Sequence, residues 1–323
     1  MYDYFMEKLV YQMFILGTGE HLNNALNKGL GGVIFFTRDI QSEKQFKNLI
    51  KQIVNKSLIF PFLSIDQEGG RVERTENIHE RYLSPRFAFK NGESFLKEQT
   101  ENIAHELSEY GINLNFAPCA DVNTNPNNPI IGERAFSDKT EDVIKGVKIV
   151  SDVYRRNGII PCIKHYPGHG DANSDSHLTL PQIDLPMEVM EKVHITPFRE
   201  AAKNNIEMIM AAHLHCTCFD KDTLPSSLSN NAIGYLRDNI GYNGVVISDD
   251  MVMKGVQGYG SVDAIIMGIE AGLDMFIFRD SDKQTIETIE KVIKIIEKSE
   301  RLTQRVKESN ERIKKLKERF QIL

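Results

Sequence analysis

Eight short apolar runs, bounded by Gly, Pro, Asn or Asp, punctuate the chain at residues 12–16, 31–36, 61–66, 112–118, 159–165, 206–213, 243–249 and 273–278. Their length and their flanking breakers predict buried strands. The intervening stretches 41–56, 95–110, 140–157, 189–204 and 261–271 carry apolar residues at helical spacing. Strands that alternate with helices imply a parallel sheet with crossover helices, and eight such units predict a closed α/β architecture, the (β/α)8 TIM barrel. An open doubly wound sheet also alternates in this way, but it wants a Gly-rich first turn of the dinucleotide type. Gly17-Thr18-Gly19-Glu20 lacks the third glycine and reads as a plain turn. Beyond the eighth run, 283–298 sets Ile286, Ile289, Val292, Ile293 and Ile296 on one side, and 300–319 does the same with Leu302, Val306, Ile313 and Leu316. Ser299 is placed to cap the second of these helices. The expectation is one catalytic domain over 1–323, with the C-terminal helices of 283–323 packed on the barrel and no linker or low-complexity segment.

Composition narrows the function. With 323 residues and 41% hydrophobic content the chain can bury a large core, and a formal charge of −6 argues against nucleic acid or an anionic membrane as partner. The N-terminal MYDYFMEKLVYQMFILG carries Asp3, Glu7 and Lys8 where a secretory signal needs a basic and then an apolar segment, and no later run approaches membrane-spanning length. A soluble, cytoplasmic monomer is expected. Cys119 and Cys162 fall in apolar runs, and Cys216 and Cys218 lie two apart, a spacing unsuited to a disulfide framework, so all four read as reduced thiols.

In a barrel the loops after the strands form the common mouth, so chemistry belongs just past each strand. Asp66, Asp121, Lys164, His165, His213, Asp249 and Asp250 all follow an apolar run. The densest stretch is Lys164-His165-Tyr166-Pro167-Gly168-His169-Gly170-Asp171-Ala172-Asn173-Ser174-Asp175-Ser176-His177. There Asp175 and His177 flank a serine, so a bend lets the carboxylate fix one imidazole nitrogen and leaves the other to exchange protons. The whole string resembles the signature of glycoside hydrolase family 3, in the branch of β-N-acetylglucosaminidases (β-N-acetylhexosaminidases) that trim cell-wall fragments. Tyr166 stands where the usual form has phenylalanine, an aromatic exchange. DQEGGRVER at 66–74 looks like a second hallmark of that family, and IIGERAF at 130–136 is a shorter match.

The resemblance implies that Asp66, Arg74, Arg134, Lys164 and His165 hold the terminal sugar. The family's (S/T)-D-x-(L/M) pattern aligns the nucleophile with Asp249, and strand alternation turns Asp250 to the opposite side, to a salt bridge or a cap. In many relatives the acid/base carboxyl comes from an additional domain; here His177 is expected to take that role, with Asp175 stabilising its charged form. The activity implied is retaining hydrolysis of a non-reducing β-linked N-acetylglucosamine, on muropeptides of peptidoglycan recycling or on chitooligosaccharides, without cofactor or metal. A neutral imidazole repels anions less than a carboxylate does, so a phosphorylase is one alternative; a β-glucosidase and a non-catalytic amino-sugar sensor are others. His213-Leu214-His215-Cys216-Thr217-Cys218 suggests zinc. Amidohydrolase barrels, however, carry His-x-His after the first strand and the aspartate after the last, whereas here they follow the sixth and seventh runs.

Overall fold

The computed structural model describes residues 2–172 and 180–322. Its barrel strands are β1 (Phe14–Gly17), β2 (Gly32–Phe35), β3 (Phe62–Ile65), β4 (Leu114–Asn115), β5 (Ile160–Tyr166), β6 (Met208–Ala211), β7 (Val245–Asp250) and β8 (Met275–Phe278), and Gln182–Ile183 pairs with His215–Cys216 in a separate two-stranded parallel sheet. Each pairs in parallel with its neighbours in sequence, and β8 returns to β1 to close the barrel. Every predicted run thus supplies one strand. All residues of β1, β2, β3, β6 and β8 are buried, as strands must be when helices cover one face and packed side chains fill the other.

The helices bury one stripe each. Glu43–Lys56 places Phe46, Ile50 and Ile53 inward at i, i+4 and i+7, and the Ser42 hydroxyl caps it by accepting from Gln45 N. The two final helices, Lys283–Ile296 and Glu300–Arg319, are capped by Asp282 and by Ser299. Across the N-terminal end of the barrel Lys317 Nζ donates to Gln12 Oε1 and to Phe60 O, both at 2.9 Å, and Asn310 Nδ2 donates to Leu9 O at 2.9 Å. The last helix is thereby tied to the segments that enter β1 and β3. Among the described residues no helix is long and apolar enough to cross a membrane.

Two elements differ from expectation for identifiable reasons. The run 112–118 gives only the two-residue β4, because Pro161, opposite Asn115, and Pro118 further along have no N–H to donate. The buried Asn115 side chain substitutes for the missing ladder: its Oδ1 accepts from Gln67 N at 2.9 Å, and its Nδ2 donates to Gln67 O at 2.8 Å and to Tyr154 Oη at 3.1 Å. The helix expected over 189–204 is broken into Met187–Val189, a π-helical segment Met190–Ile195, and Thr196–Lys203. Pro197 cannot bond back to the carbonyl of Val193, which instead accepts from Thr140 Oγ1 at 3.3 Å. Helices at Tyr2–Tyr11, Leu22–Asn27 and Pro85–Lys90 add to those that the apolar spacing predicts.

Candidate active site

A cavity of about 200 Å³ opens at the C-terminal ends of the strands. Its wall includes Asp66, Arg74, Arg134, Lys164 and His165, all five residues expected to hold a sugar, together with Asp249. Phe36, Met210 and Ile277 add an apolar side. A larger cavity of about 610 Å³ lies at the other end of the barrel, beside Glu207, Val245 and the final helix. The Glu207 carboxylate there is already shared by Arg155 and Arg319, each at 2.8 Å, and no strand-exit residue reaches it. The chemistry therefore belongs to the smaller cavity.

The DQEGGRVER turn folds back on itself because Gly69 and Gly70 take φ of 93° and 65°; a Cβ on Gly69 would sit 2.4 Å from Leu83 O. Gln67, fixed by Asn115, accepts from Arg74 N at 2.8 Å, which brings Arg74 to the same cavity as Asp66. Lys164 Nζ lies 2.6 Å from Asp66 Oδ1 and 2.7 Å from Glu68 Oε1. Glu68 also takes both arms of Arg134, Nε at 2.9 Å and Nη2 at 2.8 Å. Burial pushes the Glu68 carboxyl up, but the Arg134 and Lys164 cations outweigh it and hold the group far below the usual carboxylate range. Glu68 is thus the buried anion that fixes two of the expected sugar ligands. Sequence reasoning missed it, although its position two residues after Asp66 is a signal for a shared face.

Asp121, fully buried at the exit of β4, accepts four hydrogen bonds. Its Oδ1 takes His165 N at 3.2 Å and His169 N at 2.6 Å, and its Oδ2 takes His165 Nδ1 at 2.7 Å and Cys119 Sγ at 3.1 Å. Arg134 Nη2 lies 3.3 Å from His165 Nε2 and is a donor only, so His165 carries its proton on Nδ1 and presents Nε2 as an acceptor. Burial would raise the Asp121 carboxyl, but His165 beside it and the His169 N–H bring it well below the ordinary value. Among the described residues Cys119, Asp121 and His165 form the one set whose ligand atoms all lie within 4.8 Å and could hold a metal ion. Each of those atoms is already engaged in this hydrogen-bonded group, and burial pushes the Cys119 thiol up, away from the thiolate a metal needs.

At the end of β7 both aspartates line the cavity, which corrects the expectation that Asp250 points away. The β7–β8 register slips between Ile247 and Asp250, so strict alternation fails there. Asp250 is ion-paired with Arg279, whereas the Asp249 carboxylate accepts only the Asp250 N–H, at 2.8 Å, among the described residues. Burial would raise Asp249, but His165 and His213 lead the groups that lower it below its ordinary value, and it stays ionised. His213, buried after β6, lies with Nδ1 2.7 Å from Ser227 Oγ and Nε2 3.1 Å from Asp249 O, so it braces the main chain of that aspartate. His215 is separately engaged, accepting from Leu224 N at 3.3 Å, which leaves the 213–218 histidines without a common zinc geometry. Asp175 and His177, expected as the acid/base pair, lie outside the described residues.

Closed parallel barrel, strand-exit carboxylates and a donor-rich cavity together define a (β/α)8 barrel with a polar pocket at its C-terminal mouth. The chain belongs to glycosyl hydrolase family 3: the profile of the "Glycosyl hydrolase family 3 N terminal domain" matches residues 7–316. A "Beta-hexosaminidase" of Neisseria meningitidis serogroup C (strain 053442) is 32% identical over 272 residues, covering 80% of this chain and 74% of its own length. The "Beta-hexosaminidase A" of Pseudoalteromonas piscicida is 32% identical over 269 residues, 76% of this chain, and the match spans only 45% of that protein. The solved family 3 β-N-acetylglucosaminidase of Paenibacillus sp. str. FPU-7 superposes with a TM-score of 0.92 at 29% identity, covering 98% of this chain and 62% of that one.

Proposed function

We propose that this chain is a retaining β-N-acetylhexosaminidase that releases non-reducing terminal β-linked N-acetylglucosamine, with Asp249 as nucleophile and His177, steadied by Asp175, as acid and base. The names borne by its relatives in Neisseria, Pseudoalteromonas and Paenibacillus support the substrate class. One observation carries the choice of nucleophile. Of the three cavity aspartates, Asp66 is paired with Lys164 and Asp250 with Arg279, and Asp249 alone keeps an ionised carboxylate without an ion pair among the described residues. A nucleophile held by a cation is a weaker one; this one is oriented by backbone only.

In the proposed cycle Lys164, Arg134, Arg74, Asp66 and His165 hold the sugar hydroxyls with fixed donors and acceptors. Asp249 attacks the anomeric carbon while His177 protonates the leaving oxygen, giving a glycosyl ester and a free aglycone. His177 then takes a proton from water, which hydrolyses the ester with net retention. The substrates proposed are muropeptides of peptidoglycan recycling, met by a cytoplasmic monomer. The test is a panel of nitrophenyl β-glycosides of graded leaving-group acidity, run in phosphate-free buffer. Asp249→Ala should abolish turnover throughout, and His177→Ala should hurt least with the best leaving group, which needs little protonation. Equal His177→Ala losses across the panel would remove His177 from the acid role.

A further inference from the structure

His169 is the histidine of the 164–177 string for which neither sugar holding nor proton transfer has yet been argued. Its backbone is pinned from both sides. A Cβ on Gly168, where φ is 124°, would lie 2.7 Å from His194 Cβ, and one on Gly170 would lie 1.8 Å from Val122 O, so only glycines let the main chain pass here. His169 N donates to Asp121 Oδ1 at 2.6 Å, and its carbonyl accepts from Asn128 Nδ2 at 2.8 Å. The imidazole, 3% exposed, lines the 200 Å³ cavity edge-on to His165, with ring centroids 5.9 Å apart. Among the described residues neither of its ring nitrogens has a hydrogen-bond partner. Buried polar atoms are nearly always paired, so a rigidly placed pair of orphans on a ring that lines a binding cavity points to a partner that arrives with the ligand.

The chemistry of that ligand follows from the ring. Burial, reinforced by His165, pushes the His169 pKa down to about 4, so at neutral pH the ring is uncharged, with one N–H donor and one lone pair. The neighbouring cations only donate and the carboxylates only accept, and His165 is engaged by Asp121 and Arg134. We propose that His169 is a substrate-contacting residue of this cavity, exchanging hydrogen bonds with an uncharged polar substituent of the bound sugar, a hydroxyl or the acetamido group. The assignment rests on the glycosidase reading and adds a binding contact to it.

His169→Phe keeps a ring and deletes both orphan nitrogens. The free variant should unfold at the same or a higher temperature than wild type, because nothing in the protein loses a partner. Its kcat/KM on nitrophenyl β-N-acetylglucosaminide should fall about tenfold or more, with His169→Gln, which retains a donor and an acceptor, recovering part of the loss. Nitrophenyl β-glucoside separates the two substituents: equal losses on both glycosides point to a hydroxyl, and a loss confined to the N-acetylglucosaminide points to the acetamido group. Unchanged kcat/KM on both glycosides overturns the proposal. Ligand binding without turnover is the independent arm, read from the His169 ring nitrogens by ¹⁵N NMR on adding N-acetylglucosamine or glucose to wild type. A shift with either sugar is expected, and decides the matter if His169→Phe loses both stability and activity; no shift with either overturns the contact. A shift in a protein that hydrolyses neither glycoside would keep the contact and sink the glycosidase reading instead.

Discussion

Asp121→Asn alters one end of one side chain, yet it inverts the hydrogen-bond logic around His165. The asparagine carbonyl can still accept the His165 and His169 N–H groups that now meet Oδ1. Its amide NH2, however, then faces His165 Nδ1–H and Cys119 S–H, both donors, where Oδ2 stood at 2.7 and 3.1 Å. His165 can relieve the clash only by moving its proton to Nε2, which then meets the Arg134 donor at 3.3 Å. Either way a donor faces a donor in a fully buried place, a penalty of about 1–3 kcal/mol. The tautomer switch also removes the acceptor that His165 offers Arg134, loosening a side chain that lines the cavity. Charged wholly to transition-state binding, that penalty is a fall of about 5- to 150-fold in kcat/KM. Steady-state kinetics on nitrophenyl β-N-acetylglucosaminide measure it, and ¹⁵N NMR of the His165 ring reports the tautomer. Activity within about twofold of wild type, with the proton still on Nδ1, would refute the positioning role.

Glu68→Gln removes the anion between Arg134 and Lys164 and should destabilise the fold by about 3–5 kcal/mol, measured by denaturant unfolding; a loss near zero would mean that solvent reaches the pair. Glu68 and Asp121 both have folded pKa values below their unfolded ones, so their stabilisation is present above about pH 4 and is lost as pH falls further. Either amide variant should therefore show a shallower acid limb than wild type, and unchanged limbs would contradict the depressed values. Lys317 has the opposite dependence: burial pushes its ammonium down to about 7, against about 10.4 in the unfolded chain. The unfolded chain binds the extra proton between those values, so stability should rise with pH across that window by up to about 1.4 kcal/mol per unit. Lys317→Met should flatten the rise, and parallel stability curves for variant and wild type would count against it.

The barrel was legible because each strand is an apolar run closed by a breaker, a pattern that survives without knowledge of tertiary contacts. Where it misled, a local rule was overridden: Pro118 and Pro161 shorten β4, Pro197 opens a π-helical segment, and the β7–β8 slip turns Asp250 into the cavity beside Asp249. Asp66, Arg74, Arg134, Lys164, His165 and Asp249 were named from the motifs and do share one cavity. The sequence could not say which charges neutralise one another. Glu68 looked like any acid in a turn, Asp121 like one more strand-exit carboxylate, and His213 like a metal ligand, until their partners fixed their parts as counter-ion, tautomer anchor and backbone brace.

The measurement closest to the central claim is peptide mass spectrometry of the enzyme quenched during turnover of a slow fluorinated β-N-acetylhexosaminide. The account predicts one sugar mass added to the peptide that carries residues 245–251, located on Asp249 and absent from Asp249→Ala. A sugar found on Asp66 or Asp250, or an active enzyme that accumulates no adduct and releases the inverted anomer, would contradict it.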